Sequence, residues 1–325
     1  MNHNTIETLY DIIDEMAMLL VEHANMHYLD ALSAASTNIM AADVLQEVDT
    51  EVEIKLFSLG KQLSETEFEV EEIRKALQLS LLKGMKADHV PLDNITPDSI
   101  ALLIGHLVSK LLTSLERLSL ADFTCGTGNL LTAVLNTFNE APTNIYGVDT
   151  DYQMLELAKM MADMQEHDAQ LFHQSSTRPM VIGKVDVIIG DLPTEASMEA
   201  ADISSTPHDA ECNYLPYQLV ENHLNYLIDG GYAIYVINND FFSQESATKF
   251  HKVLTRTASI GMLLQLPESL FKDSSKQKSI LVLRKHDEGR ELVEQALVAN
   301  LPDFGNVAEF RKMLTKIENW ITNNS

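Results

Sequence analysis

Cysteine is nearly absent: the 325 residues hold two, Cys125 and Cys212. Two thiols cannot build a disulfide framework for a chain this long, so the sequence reads as that of a protein of the reducing cytoplasm. No run of about 18 apolar residues occurs, and no transmembrane helix or membrane partner is expected. The stretch Met1–Glu7 has no basic segment leading into an apolar one and does not read as a signal peptide. Positive charge is scarce as well. Lys and Arg number 23 against 48 Asp and Glu, a formal net charge of −25. Neutralising phosphates supplies most non-specific affinity for nucleic acid, so an acidic chain starts with a handicap against any polyanion. One local basic strip, Lys272, Lys276, Lys278, Arg284 and Lys285, is the candidate exception. No Walker lysine, nucleophile elbow or zinc-ribbon spacing is present. His23 with His27, and His208 with Cys212, have helical spacing but lack the further ligands that a metal needs.

Glycine is missing until Gly60, and residues 1–90 read as helical. Ile6, Leu9, Ile13, Met16 and Leu20 form one apolar stripe, and a second helix runs to about Met40. Ser64 with Glu67 has the capping-box spacing before Phe68, Ile73, Leu77 and Leu81, and Gly84 suits the helix stop. The segment is acidic and reads as a separate helical unit whose stripes form its core. Pairing of two copies through it stays open. Thr96 then fits an N-cap with Pro97 at the first helical position, ahead of a stripe of Ile100, Leu103, Ile104, Leu107 and Leu111.

From about residue 118 the texture changes. Short apolar runs fall at Leu118–Phe123, Ile145–Asp149, Gln170–His173, Val185–Gly190, Tyr232–Ile237, Ile260–Leu266 and Ser279–Leu283. Amphipathic segments lie between them at Leu130–Phe138, Tyr152–Met164, Leu215–Leu227 and Gln244–Thr255. This alternation predicts an α/β fold with a doubly wound, mostly parallel, seven-stranded sheet. The last two strands, joined without a convincing helix, predict a closing hairpin and an antiparallel edge strand. After Asp287 a helical tail is expected, with Phe310, Met313, Leu314, Ile317 and Ile321 on one face. The expected organisation is a helical N-terminal domain over 1–90, an α/β domain over 91–287 and a C-terminal helical extension over 288–325.

Asp122, Phe123, Thr124, Cys125, Gly126, Thr127, Gly128 and Asn129 form a strand end, a tight turn and a helix start. The glycines permit positive φ and close approach of a ligand, and the helix presents N–H groups at the C-terminal edge of a sheet. Cys125 fits there as a small buried apolar residue. Asp149 ends the next strand about 20 residues on, where a carboxylate can accept both hydroxyls of a ribose. Its bland role is a helix cap, which Thr150 or Asp151 could fill equally well. These features alone suit a nucleoside cofactor of more than one kind. A dinucleotide fold wants a third glycine where Leu131 stands, which counts against an NAD-linked oxidoreductase.

The turn resembles the Asp-Pro-x-Cys-Gly-Thr-Gly motif of the N6-adenine DNA methyltransferases, a class I family with a Rossmann-like fold that uses S-adenosylmethionine (SAM). Ile95–Ile100 resembles that family's upstream Thr-Pro segment, Gly231–Val236 its fifth strand, and Leu266–Phe271 with Lys278–Lys285 its closing hairpin. The resemblance runs from about residue 90 to 286. It implies that Thr96, Asp122 to Asn129, Asp149, Thr150, Ser175 and Asp191 hold SAM. It also implies methyl transfer to an exocyclic amine, with N6 of adenine in DNA as the family default. The family's catalytic loop, Asn/Asp-Pro-Pro-Tyr/Phe, corresponds to Asp191, Leu192, Pro193 and Thr194. Asp191 and the Leu192 carbonyl would then orient the amine, and Pro193 is retained. Thr194 replaces the aromatic residue that stacks on an extruded base, and Tyr214, Tyr217, Phe241 or Phe242 is the candidate substitute. Two readings follow. One is an active methyltransferase that reaches DNA through a separate recognition subunit, because of its charge. The other is a catalytically degenerate descendant that binds SAM or a partner without turnover.

Overall fold

The computed structural model describes residues 3–92, 95–112, 117–140, 142–193, 214–273, 276–287 and 295–324. Contacts divide the chain into two compact units. The first comprises Met1–Ala101, Cys125–Ala141 and Asp151–His173; the second comprises Leu102–Thr124, Pro142–Thr150 and Gln174–Ser325.

Four N-terminal helices, α1 (His3–His23), α2 (Tyr28–Ala41), α3 (Thr50–Ser64) and α4 (Val70–Ala87), share the first unit with α6 (Asn129–Leu135) and α7 (Tyr152–Asp163). The α1 stripe is buried at Leu9, Ile13, Met16 and Leu20. It packs in one core with Leu29 and Leu32 of α2, Leu56 of α3 and Leu81 of α4, and with Met154, Leu157, Met160 and Met161 of α7. The N-terminal helices therefore do not close on themselves: their apolar faces are completed by a helix from far along the chain.

Two local expectations change. Ser64 ends α3 instead of opening α4, and the reciprocal bond sits five residues later, where the Glu72 carboxylate accepts the Glu69 N–H at 3.3 Å. Gly84 lies inside α4, not at its end. A Cβ there would stand 2.5 Å from Leu29 Cδ2 and 2.7 Å from Tyr28 Cδ1, so glycine lets α2 approach closely. The helix stops three residues on. His89 takes the left-handed conformation at φ 59, and the Val90 N–H closes on the Met85 carbonyl at 2.8 Å.

α5 (Asp98–Leu111) buries the expected stripe, but its first i→i−4 bond runs from the Ala101 N–H to the Pro97 carbonyl. Pro97 is thus the N-cap and Thr96 precedes it.

Among the described residues the sheet has eight strands, one more than expected, in the order β3-β2-β1-β4-β5-β7-β6-β8. They are β1 (Ser119–Asp122), β2 (Asn144–Asp149), β3 (Ala169–His173), β4 (Val185–Asp191), β5 (Leu227–Asn238), β6 (Ala258–Gln265), β7 (Lys278–Lys285) and β8 (Leu297–Asn300). β1 pairs in parallel with β2 and β4, and β4 with β5. β7 runs antiparallel to both β5 and β6, so the closing hairpin forms. The antiparallel strand is interior, however, and the edge is β8, parallel to β6. Four residues are too few to show a period in sequence; β8 forms because it satisfies the open backbone groups along β6. Three more helices, α8 (Leu215–His223), α9 (Ala247–Thr257) and α10 (Val307–Asn324), complete the second unit. α10 buries Ile317 and Ile321, while Phe310, Met313 and Leu314 are half-buried. Strand order reverses at β1 and β4, and ligands of doubly wound sheets bind at the carboxyl ends of strands at such a point.

Truncating Met161 to Ala should cost about 2–5 kcal/mol, the usual range for deleting a buried methionine side chain. Because the core is shared, hydrogen exchange should quicken in α1 and α2 as well as in α7. Unaltered exchange in α1 would contradict a common core.

Candidate active site

β1 is buried throughout and ends at Asp122, itself only 1% exposed. The carboxylate accepts the Thr124 N–H at 3.0 Å and the Thr124 hydroxyl at 3.4 Å, which folds the chain back at the strand end. Gly128 has φ 75 and donates its N–H to the Cys125 carbonyl at 2.8 Å. A Cβ on it would meet Ala158 Cα and Cβ at 3.1 Å. Gly190, on β4, lies against the same turn: a Cβ there would be 2.7 Å from Thr124 Oγ1. The turn is thus shaped at both places by missing side chains. Cys125 is buried among Leu155, Ala158 and Leu171, as a small apolar residue should be.

Three carboxylates collect at adjacent strand ends. Register sets Asp122 beside Gly147 of β2 and Ile189 of β4, so Asp149 and Asp191 lie two residues further along those strands. Burial, opposed by the Thr124 N–H and reinforced by the charges of Asp149 and Asp191, lifts Asp122 from 3.8 to about 7. Burial, and then Asp122, push the Tyr235 hydroxyl well above its ordinary value. Asp191 pairs with Lys278 at 2.7 Å, both side chains about 15% exposed or less. Asp151 caps α7 by accepting the Met154 N–H at 3.2 Å, so the cap role does not fall to Asp149. The Asp149 carbonyl takes the Gln174 N–H at 3.0 Å, and Thr150 is exposed.

Behind this edge lies a polar network. His223 is fully buried, and burial lowers it to about 3, so the ring is neutral. Its Nε2 lies 3.0 Å from Ser176 Oγ and its Nδ1 3.1 Å from the Tyr235 hydroxyl, while Phe123 meets the ring edge-on. Ser175 bonds Thr177 Oγ1 at 2.8 Å. Leu192 is buried and donates its N–H to the Val236 carbonyl at 3.0 Å; Pro193 is half-buried.

In the first unit, the Asn129 amide donates to the Thr96 carbonyl at 2.9 Å and accepts from Arg74 at 3.0 Å. Thr96 and Asn129 are both buried, which brings the Thr-Pro segment and the end of the turn together.

Two expectations are corrected. Tyr217 and Phe241 are buried, with Tyr217 stacked on Phe250 at 4.0 Å, and Tyr214 is 8% exposed against them. These rings are core and cannot stack on a base; Phe242 is half-buried. Three residues of the basic strip are used internally, while Lys272 and Lys276 are exposed. Lys278 holds Asp191, Arg284 donates to the Asn324 carbonyl and Lys285 to that of Leu227. Thr194, His208 and Cys212 lie outside the described residues. Sequence reasoning missed Lys278 as a site residue and missed Arg74 altogether. Arg74 shares a stripe with Leu77 and Leu81, and a cation on an apolar stripe was the available signal.

Residues 93–318 match the N-6 DNA methylase family, and residues 7–85 match the YtxK N-terminal helical domain. The chain belongs to the N-6 DNA methylase family. It is 32% identical to the uncharacterized protein YtxK of Bacillus subtilis strain 168, over 98% of each chain. A Listeria monocytogenes protein assigned as a class I SAM-dependent methyltransferase is 29% identical, with TM-score 0.84 over 98% of this chain and all of that one. The methyltransferase subunit of a type I restriction-modification system from Streptococcus thermophilus shares the fold at 14% identity. Its TM-score is 0.59 over 97% of this chain and 74% of that one. Family and fold make this methylase a SAM-dependent methyltransferase. The residues fit that cofactor: Thr127 Oγ1 is buried in the turn without a hydrogen-bond partner, and Gly128 closes the turn at φ 75 where Ala158 leaves no room for a side chain. The buried Nε2 of Gln174, just past β3, is likewise unpartnered.

Asp122 gives a pH test. Its raised folded-state value means that its contribution to stability is complete below about 4 and is lost as pH rises through about 7. His223 acts oppositely, losing stability as pH falls below 6.5. The difference between wild type and Asp122→Asn isolates the carboxyl. Wild type should lose ground to the variant between pH 4 and about 7 in urea midpoints. Parallel profiles would show Asp122 ionised throughout.

Proposed function

We propose that this methylase transfers a methyl group from SAM to an exocyclic amine, with N6 of adenine as the acceptor. Asp122 to Asn129, Thr96, Asp149, Thr150 and Ser175 would hold the cofactor. SAM supplies an electrophilic methyl on a sulfonium. Asp191 and the Leu192 carbonyl accept the N–H groups of the amine and aim its lone pair, while Pro193 stiffens the loop. Orientation of this kind supplies much of the acceleration in a displacement between two bound groups. The observation that carries the reading is the position of Asp191. It ends β4 beside the glycine turn, close enough to Asp122 to perturb it electrostatically. Lys278 holds the carboxylate in place through Oδ1 at 2.7 Å, and a carboxylate has about four acceptor sites, so one ammonium does not exhaust it.

The net charge of −25, together with basic side chains engaged inside the fold, supports DNA contact through a separate recognition subunit. Met40, Leu45, Ile54 and Phe57 stand exposed on α2, α3 and the segment joining them, which supports pairing of two copies through the N-terminal helices.

One observation favours the degenerate reading: the carboxylate that would receive the amine already binds Lys278 through Oδ1 at 2.7 Å. Labelled SAM offered with DNA, RNA and cell extract separates the two. Label should enter DNA with wild type when the extract supplies the recognition subunit, and fall by about 100-fold with Asp191→Ala, the scale of a misplaced reacting group. SAM binding with no substrate labelled would establish the degenerate reading.

A further inference from the structure

Arg74 has no exposed surface, yet it belongs to α4, far in sequence from the glycine turn. All five of its N–H groups are used. Nε and Nη2 donate to Glu71 Oε1 and Oε2 at 2.8 and 3.0 Å. Nη1 and Nη2 donate to Asp98 Oδ1 and Oδ2, both at 3.1 Å. The remaining Nη1 proton goes to Asn129 Oδ1 at 3.0 Å. Glu71 in turn accepts Asn136 of the segment after α6 at 2.8 Å, and Gln78 of α4 supports Asp98 at 2.8 Å.

The Asn129 amide has a defined orientation because of this. Its oxygen faces the guanidinium and its nitrogen faces the Thr96 carbonyl. Flipping the amide would set donor against donor and acceptor against acceptor. Asp98 begins the helix that follows Thr96 and Pro97, and it is clamped by the same planar fork. A lysine has a point charge and three donors, and it cannot reproduce that fork.

We propose that Arg74 is a positioning residue of the cofactor site, setting Asn129 and the Thr96–Asp98 segment so that α4 is a working part of SAM binding. This rests on the reading of Thr96 and Asn129 as cofactor residues. Coupling between α4 and the site is reciprocal: if α4 organises the site, SAM stabilises α4.

The test uses the full chain. Hydrogen exchange of wild type with and without SAM should show slower exchange in α4 around Glu71–Arg74. Arg74→Lys, checked for wild-type circular dichroism, should raise the SAM Kd by about tenfold. At saturating SAM its kcat should stay within about twofold, a split that general destabilisation would not give. Should the lysine variant not fold, the charge-neutral triple variant Glu71→Gln, Arg74→Met, Asp98→Asn replaces it, with the same expectation. Asp149→Ala serves as the control for the site. Loss of binding in that control, with unchanged Kd in the Arg74 variant and unaltered exchange in α4, overturns the inference alone. Wild-type affinity in both variants, or no binding by wild type, overturns the reading of the site and this inference with it.

Discussion

The buried carboxylate of Asp122 sets the terms for the rest of the site. A carboxyl group taken wholly out of water must be hydrogen-bonded or neutral. Here it accepts the backbone and hydroxyl of Thr124, and the chain reverses where a strand would otherwise continue. That reversal brings Thr124 against Gly190 and carries the chain on to Gly128, where any side chain would meet Ala158. The site is shaped by one buried carboxyl group and two missing Cβ atoms. The cluster of Asp149 and Asp191 near it keeps the strand ends acidic, and Lys278 offsets one of those charges. A cationic sulfonium cofactor suits such an edge better than a pyrophosphate would.

The N-terminal helices belong to the same physical argument. Their apolar stripes are completed by α7, and their one fully buried cation completes its hydrogen bonds on Asp98 and Asn129. Both effects run between residues distant in sequence. Leaving a buried guanidinium or a buried carboxylate without its partner is among the more costly single changes in a folded protein.

The parts legible in the sequence were those fixed locally. The glycine turn, the seven strands found by alternation and the stripe of α5 each rest on spacing within about a dozen residues. Asp149 at a strand end was legible for the same reason. Features decided by tertiary contact were not. Gly84 looks like a helix stop until α2 is seen pressed against it. Ser64 and Glu67 have the capping-box spacing, yet the reciprocal bond forms at Glu69 and Glu72. β8 exists because β6 needs a partner, and Tyr217 and Phe241 turn inward because Phe250 is there to receive them. Arg74 was one cation on an apolar stripe and Lys278 one of several lysines in a polar stretch, and only their partners give them a role.

The most direct measurement is a crystal structure of the full chain grown with S-adenosylhomocysteine, the product form of the cofactor. The account predicts the nucleoside against the Asp122–Asn129 turn, with both ribose hydroxyls on Asp149 and the homocysteine end near Thr96. A ligand bound elsewhere, or the turn closed with Asp149 making no contact to the ribose, would contradict it.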